Sequence, residues 1–272
     1  MENIMIDIGL NLASQQFDKD REQVIKNALD NGVAGFILTG TSKKSSQEVF
    51  DLASKYPDIM RCTSGVHPHD AKNWEKSKHL VEKLCAEDLI VAVGECGLDY
   101  DRMFSTVEEQ KHAFEEQLKL AVKYNKPVFL HVRGAIGKEK EVFQDFIKIF
   151  KPYHEKGVQG VVHCFTGSGR SLNSILNMGL YVGITGWVND DNRGKSLQEL
   201  IKYIPNDKLM IETDAPYLTP KNMPKSLYNK RNEPAFLNYV LDKVSELKKI
   251  DKNVLNEQMN KNVETLFKWK PV

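Results

Sequence analysis

Cysteine is scarce in this chain. Four residues in 272, Cys62, Cys85, Cys96 and Cys164, include no C-x-x-C pair. A protein of this length needs no disulfide staples, so the four read as reduced thiols in a cytoplasmic protein. An excess of one charge is also missing: 38 Lys and Arg stand against 37 Asp and Glu, leaving +1. Such a balance exerts no global pull on nucleic acid or membrane, so a polyanion must be held by local clusters. No apolar run approaches the length of a membrane span, and Met1-Glu2-Asn3 lacks the basic and apolar stretches of a signal peptide. No G-x-G-x-x-G follows an early strand, which counts against an open, doubly wound sheet. Repeats, low-complexity tracts and Pro/Gly/Ser linkers are absent, so residues 1–272 are expected to form a single domain and to act as a monomer.

What the chain does contain is a series of short apolar runs that end in polar signatures. The tails are Gly65-Val66-His67-Pro68-His69, Gly94-Glu95-Cys96-Gly97-Leu98-Asp99, His131-Val132-Arg133, His163-Cys164-Phe165-Thr166-Gly167 and Glu212-Thr213-Asp214-Ala215-Pro216. Helical stretches lie between them. Strands are expected at 4–8, 33–38, 59–66, 89–93, 128–130, 158–162, 180–184 and 209–211. The clearest helix is 106–124, with Thr106 and Glu109 spaced as a capping box and Ala113, Phe114, Gln117, Leu118 and Ala121 on one face. Ser45 and Glu48 suggest a second box, opening a helix over 45–56. Further helices are expected near 18–31, 76–86, 139–150, 171–178 and 197–204, and 233–267 reads as two more. Eight continuously apolar strands alternating with helices indicate an α/β fold, a parallel sheet closed into a (β/α)8 TIM-like barrel with its chemistry at the C-terminal rim.

That rim would gather Glu95, His131, His163 and Asp214, two carboxylates and two imidazoles from four strand ends. Such a donor set suits zinc, manganese or, with more water, magnesium. Residues at i and i+2 share a face of a strand, so Arg133 should point into the same mouth as His131, and Phe165 should follow His163. Cys96 and Cys164 should then face outward as packing residues. Glu212 sits one step deeper than Asp214 and reads as a structural hydrogen-bonding group. His67 is placed to meet a substrate phosphate, whereas His69 is weighed equally as a loop-stabilising residue. Arg102, Arg193, Lys195, Lys221, Lys225, Lys230 and Arg231 would form a basic margin suited to a polyanion, and Phe104, Trp187 and Tyr217 offer faces for unstacked bases.

Taken together these motifs resemble the TatD family of metal-dependent deoxyribonucleases, within the metal-dependent hydrolase superfamily of TIM-like barrels. The likeness runs from Met5-Ile6-Asp7-Ile8-Gly9-Leu10-Asn11-Leu12 nearly to Leu266-Phe267 and includes Arg231-Asn232-Glu233-Pro234. The resemblance implies a 3′–5′ exonuclease on single-stranded DNA, with RNA left open, using magnesium or a similar ion. It implies metal-ligand roles for Glu95, His131 and His163, a catalytic or second-metal role for Asp214, and phosphate contact by His67. Many members carry His-x-His at the end of the first strand, where this chain has Gly9 and Asn11. The substitution weakens one of two metal positions, so one or two ions are expected. The reaction expected is metal-assisted hydrolysis of a terminal phosphodiester, with Glu95, Asp214 and His67 catalytic and with His67, Arg133 and Arg231 on the substrate, Arg133 on the strength of strand geometry alone. The rival readings are an amidohydrolase or lactonase on the same barrel and a non-catalytic nucleic-acid-binding protein.

Overall fold

Hydrophobic periodicity and turn chemistry set the elements, and a computed structural model describes them over residues 4–135, 137–228 and 231–272. The strands are β1 (Met5–Leu10), β2 (Val33–Leu38), β3 (Met60–Ser64), β4 (Ile90–Tyr100), β5 (Val128–Gly134), β6 (Gly160–Val162), β7 (Tyr181–Ile184) and β8 (Leu209–Ile211). They pair in parallel in sequential order, each with the next. The helices are α1 (Arg21–Asp30), α2 (Lys43–Ala53), α3 (Trp74–Cys85), α4 (Val107–Tyr124), α5 (Glu139–His154), α6 (Gly169–Asn177), α7 (Lys195–Ile201), α8 (Lys225–Tyr228), α9 (Leu237–Lys248) and α10 (Lys252–Phe267). Where β8 meets β1, Asp214 N–H donates to Gly9 C=O at 2.8 Å and Asn11 N–H to Ala215 C=O at 2.7 Å. The result is the expected (β/α)8 TIM-like barrel. No helix among the described residues is long and apolar enough to cross a membrane.

Local chemistry accounts for most boundaries. Thr106 and Glu109 form the expected box: Glu109 N–H donates to Thr106 Oγ1 and Thr106 N–H to the Glu109 carboxylate. Asn125, at φ +50°, ends α4 in the left-handed region that Asn tolerates. The box on α2 differs from expectation. Ser42 is the N-cap and Ser45 the third helical residue, bonded reciprocally, so the helix begins at Lys43 and Glu48 is free to face Lys44. Helix α5 continues past Phe150 to His154 with Pro152 in its last turn, where the missing N–H costs one backbone hydrogen bond.

Two strands run further than their apolar stretches. Strand β4 continues through Tyr100 and β5 through Gly134, pairing Gly97 with His131 and Asp99 with Arg133. Gly97 permits this: its φ is +142°, and a Cβ there would lie 2.0 Å from the His131 carbonyl oxygen. These polar extensions carry the site residues into the mouth.

The barrel interior is packed by Ile6, Ile8, Ile37, Val91, Ala92, Phe129, Val161, Tyr181 and Met210, with Val263, Leu266, Phe267 and Trp269 closing the floor. Asn262 of α10 donates to the carbonyls of Asn206 and Leu209, Asn256 and Asn260 donate to that of Ile4, and Arg61 covers the Trp269 ring. Floor and mouth lie at opposite ends of the strands. Phe267→Ala is therefore expected to cost about 3–5 kcal/mol in urea unfolding while leaving the turnover of the folded fraction unchanged. A loss well under 1 kcal/mol would mean that Phe267 does not seal the floor.

Candidate metal centre

Glu95, on the extended part of β4, is the hub. Its Oε1 lies 2.9 Å from His131 Nδ1, 3.3 Å from His67 Nε2 and 3.7 Å from His163 Nε2. His131 comes from β5, His163 from the residue after β6, and His67 from the turn after β3. Among the described residues, the tightest group able to hold an ion is His67, Glu95 and His131. Asp214 stands on the turn after β8, where His163 and Glu95 exert the largest charge effects on it.

The second nitrogen of each imidazole distinguishes their roles. His163 Nδ1 lies 2.7 Å from Glu212 Oε2, and His131 Nε2 lies 3.2 Å from Asp99 Oδ2. Each of these rings thus has a carboxylate on both sides. A neutral ring can donate to only one of them, to Glu212 or to Asp99, which leaves the lone pair of the other nitrogen aimed at Glu95. His67 is different: its Nδ1 accepts from the His69 backbone N–H at 3.0 Å, so in the neutral ring Nε2 carries the proton. His131 and His163 therefore present acceptor atoms to an ion, and His67 presents a donor.

The electrostatics follow from this crowding. Burial alone would raise the Glu95 carboxyl, but His67, His163 and His131 hold it well below the ordinary range. Burial opposes charge on His163, yet Glu212 and Glu95 raise it to about 10. His131 is likewise raised, with Asp99 and Glu95 overcoming burial. His67 is pushed down to about 4 by burial, against the pull of Glu95. Asp214 is raised to about 7, chiefly by burial, with His163 opposing. Without a cation, the carboxylates on either side of His131 and His163 favour an extra proton on each ring. A divalent ion replaces those protons with one charge in the middle, so the donor set fits a metal.

One residue, Cys164, sits differently from its expected place. Alternation puts Cys164 outward, but the strand ends at Val162 and Cys164 has φ +46°, so its thiol turns to Thr185 Oγ1 at 3.4 Å. Its backbone N–H donates to Glu212 Oε1 at 2.6 Å. Cys96 is buried in the outer core as expected. Glu212 is the expected hydrogen-bonding group. It uses the room left by Gly9, because a Cβ at position 9 would lie 2.2 Å from Glu212 Oε2. Asn11 donates to Asp214 Oδ1 at 3.1 Å and so braces that carboxyl.

Asp99 is a functional group that the sequence reading passed over. It is fully buried, and its Oδ2 faces His69 Nε2 at 2.6 Å, Arg133 Nη2 at 2.6 Å and His131 Nε2 at 3.2 Å. With β4 read as ending at Val93, its place four residues beyond Glu95 carried no meaning; on a strand that spacing is the same face. His69 is thereby tied into the site, with the half-exposed Phe104 edge-on to its ring at 4.9 Å. Asp99→Asn is expected to weaken metal binding about 10- to 100-fold through His131. Titration with manganese tests this, and unchanged affinity would detach Asp99 from the centre.

The basic margin is less free than the sequence suggests. Arg133 lies against Asp99, with Asp101 at 3.7 Å. Arg193 pairs with Asp190 and covers Trp187. Arg231 rests over Phe17, bonds the Gln16 carbonyl and pairs with Asp20 and Glu233. Arg102, Lys195 and Lys221 are exposed. Lys230 and the Lys225 side chain fall outside the described residues. Tyr217 is exposed beside the turn that carries Asp214.

A parallel barrel whose strand ends gather a carboxylate hub and imidazoles at one mouth defines a hydrolase-type metal site. The chain belongs to the TatD-related DNase family, whose model matches residues 6–268. It is 43% identical over 265 residues to a 3′–5′ ssDNA/RNA exonuclease TatD of Pectobacterium carotovorum, covering 97% of this chain and 99% of that one. It is 43% identical over 264 residues to the protein of the same name from Escherichia coli K12, covering 97% and 98%. Among solved structures, a TatD family hydrolase from Entamoeba histolytica superposes with TM-score 0.85 at 27% identity, covering 98% of this chain and 99% of that one. The TatD homolog YJJV of Escherichia coli superposes with TM-score 0.87 at 25% identity, covering 99% and 100%.

Proposed function

We propose that the protein is a metal-dependent 3′–5′ exonuclease that hydrolyses single-stranded DNA and RNA, with magnesium as its ion and manganese or zinc as substitutes. The observation that carries this reading is the convergence of His131 Nδ1, His67 Nε2 and His163 Nε2 on Glu95 Oε1 at the mouth. The names of the relatives at 43% identity supply the polarity and the substrate class. Glu95, His131 and His163 hold the ion, with Asp214 beside them. Whether one or two ions bind depends on Asp214, since Gly9 and Asn11 provide no imidazole.

When bound, a divalent ion polarises a phosphate oxygen and lowers the pKa of water near it. The protein's own groups do the rest. Asp214, raised to about 7, is poised to accept a proton from the attacking water near neutral pH. His67 is neutral there, and its Nε2–H donates to the phosphate. Arg133, fixed by Asp99 at the lip, contacts the next phosphate. Arg231 binds further along the strand when a phosphate displaces Asp20 or Glu233. Contacts of this kind grip the backbone and are indifferent to base sequence. The protein works as a monomer, and its four unpaired cysteines support a cytoplasmic location.

A time course on end-labelled single strands, after chelation and with metal add-back, tests the reading. Mononucleotides should leave from the 3′ end only when ion is restored. Cleavage that persists in chelator would overturn it. Binding without release would favour the non-catalytic reading, and turnover of cyclic amides or lactones instead would favour the amidohydrolase one.

A further inference from the structure

Asp7 lies on β1, in the barrel wall, and is fully buried. Its Oδ1 accepts from the Thr213 N–H at 2.9 Å and the Gly9 N–H at 3.3 Å, and its Oδ2 accepts from Thr213 Oγ1–H at 2.5 Å. Thr213 Oγ1 in turn accepts from the Ala215 N–H at 3.2 Å. One carboxylate therefore reaches, directly or through one hydroxyl, the residues on both sides of Asp214. It does so at the seam where β8 meets β1.

The turn needs such a clamp. Asp214 has φ +54°, a left-handed conformation that is unfavourable for a residue with a Cβ. Conformations of this kind persist only where their surroundings over-determine them. Asp214 N–H to Gly9 C=O and Asn232 Nδ2 to Thr213 C=O supply part of the constraint. Asp7 supplies the part that acts from β1. A buried carboxylate that spends two of its three hydrogen bonds on Thr213 is a costly way to tie two strands together if strand pairing is all it achieves.

We infer that Asp7 is the positioning residue for Asp214. By accepting hydrogen bonds from Thr213 it holds the turn that aims the Asp214 carboxyl at the attacking water. This rests on the role given to Asp214 above. Asp7 touches neither substrate nor ion, so its removal should act on the chemical step and not on strand binding.

The test is a double-mutant cycle in ion-saturated protein, with kcat and KM measured on an end-labelled strand. Asp7→Ala and Thr213→Val should each lower kcat roughly 10- to 100-fold with KM within about twofold of wild type. Asp7→Asn, which keeps the Oδ1 acceptor, should recover kcat to within about threefold. On an Asp214→Asn background, Asp7→Ala and Thr213→Val should change kcat by less than about twofold, because their effect passes through Asp214. If Asp7→Ala does not fold, Thr213→Val carries the same comparison. Losses that multiply on the Asp214→Asn background, or a rise in KM with kcat intact, would overturn the inference while leaving Asp214 in place. An Asp214→Asn variant with wild-type kcat would remove the role of Asp214 itself, and the inference with it.

Discussion

Glu95→Gln is expected to lower kcat/KM by at least about 10³-fold, roughly 4 kcal/mol of transition-state stabilisation, in a protein that still folds. Gln keeps the volume of the side chain and one acceptor oxygen, but not the charge on which three imidazoles converge. The other carboxylates stay where they are: Glu212 still holds His163 and Asp99 still holds His131. The scaffold around the hub therefore survives while affinity for a cation does not. Glu95→Ala should also be inactive. It adds a cavity and breaks a buried ion cluster at about 3–5 kcal/mol, which makes Gln the cleaner probe. Initial rates on a labelled single strand, with manganese titration and thermal unfolding on the same sample, check this. Activity within tenfold of wild type would displace Glu95 from the centre.

The second large effect is a stability profile that depends on the ion. In chelated protein, His163 is raised to about 10 from 6.5 by Glu212 and Glu95 against burial. A raised imidazole stabilises the fold fully below its unfolded value, and that stability is lost as pH rises through the folded value. Between pH 7 and 10 the native state holds one proton more than the unfolded chain. Stability should then fall by about 1.4 kcal/mol per pH unit, some 4 kcal/mol in all. His131, raised in the same direction, adds to the fall. Saturating magnesium or manganese takes the place of those protons and should flatten the profile over this window. Asp7 and Asp214, each raised to about 7, lose their protons around the start of the window and add to the fall only there. Urea unfolding at several pH values, with and without ion, measures both slopes. Parallel curves would show that no ion competes with the protons on these rings.

Much of the barrel was legible because its strands are apolar on both faces and its helices carry their own signals. Strands β2 and β8 match their apolar runs residue for residue, and α4 follows its capping box. The strand ends were harder. Polar residues from Glu95 to Asp99 and from His131 to Arg133 look like loop, yet they remain strand because Gly97 lets β4 and β5 stay in contact. That is why Glu95, His131 and His163 could be picked out by their shared place while Asp99 went unseen. Cys164 shows the opposite failure. Alternation was extended past the last paired residue, into a left-handed backbone that aims the thiol elsewhere. Gly9 and Asn11 stood out as missing imidazoles. Their actual tasks, making room for Glu212 and bracing Asp214, depend on partners about 200 positions away and leave no local pattern. The paired state of Arg231 was hidden for the same reason, since Asp20 lies 211 residues earlier.

The floor of the barrel has a consequence for how the molecule is made. Phe267 and Trp269 fill the strand interior from below, yet they leave the ribosome after every strand they cover. Until they arrive, a nascent chain with all eight strands synthesised still has wet apolar walls at its base, a state prone to misassociation. Vectorial synthesis thus delays the commitment to the native basin until α10 is released.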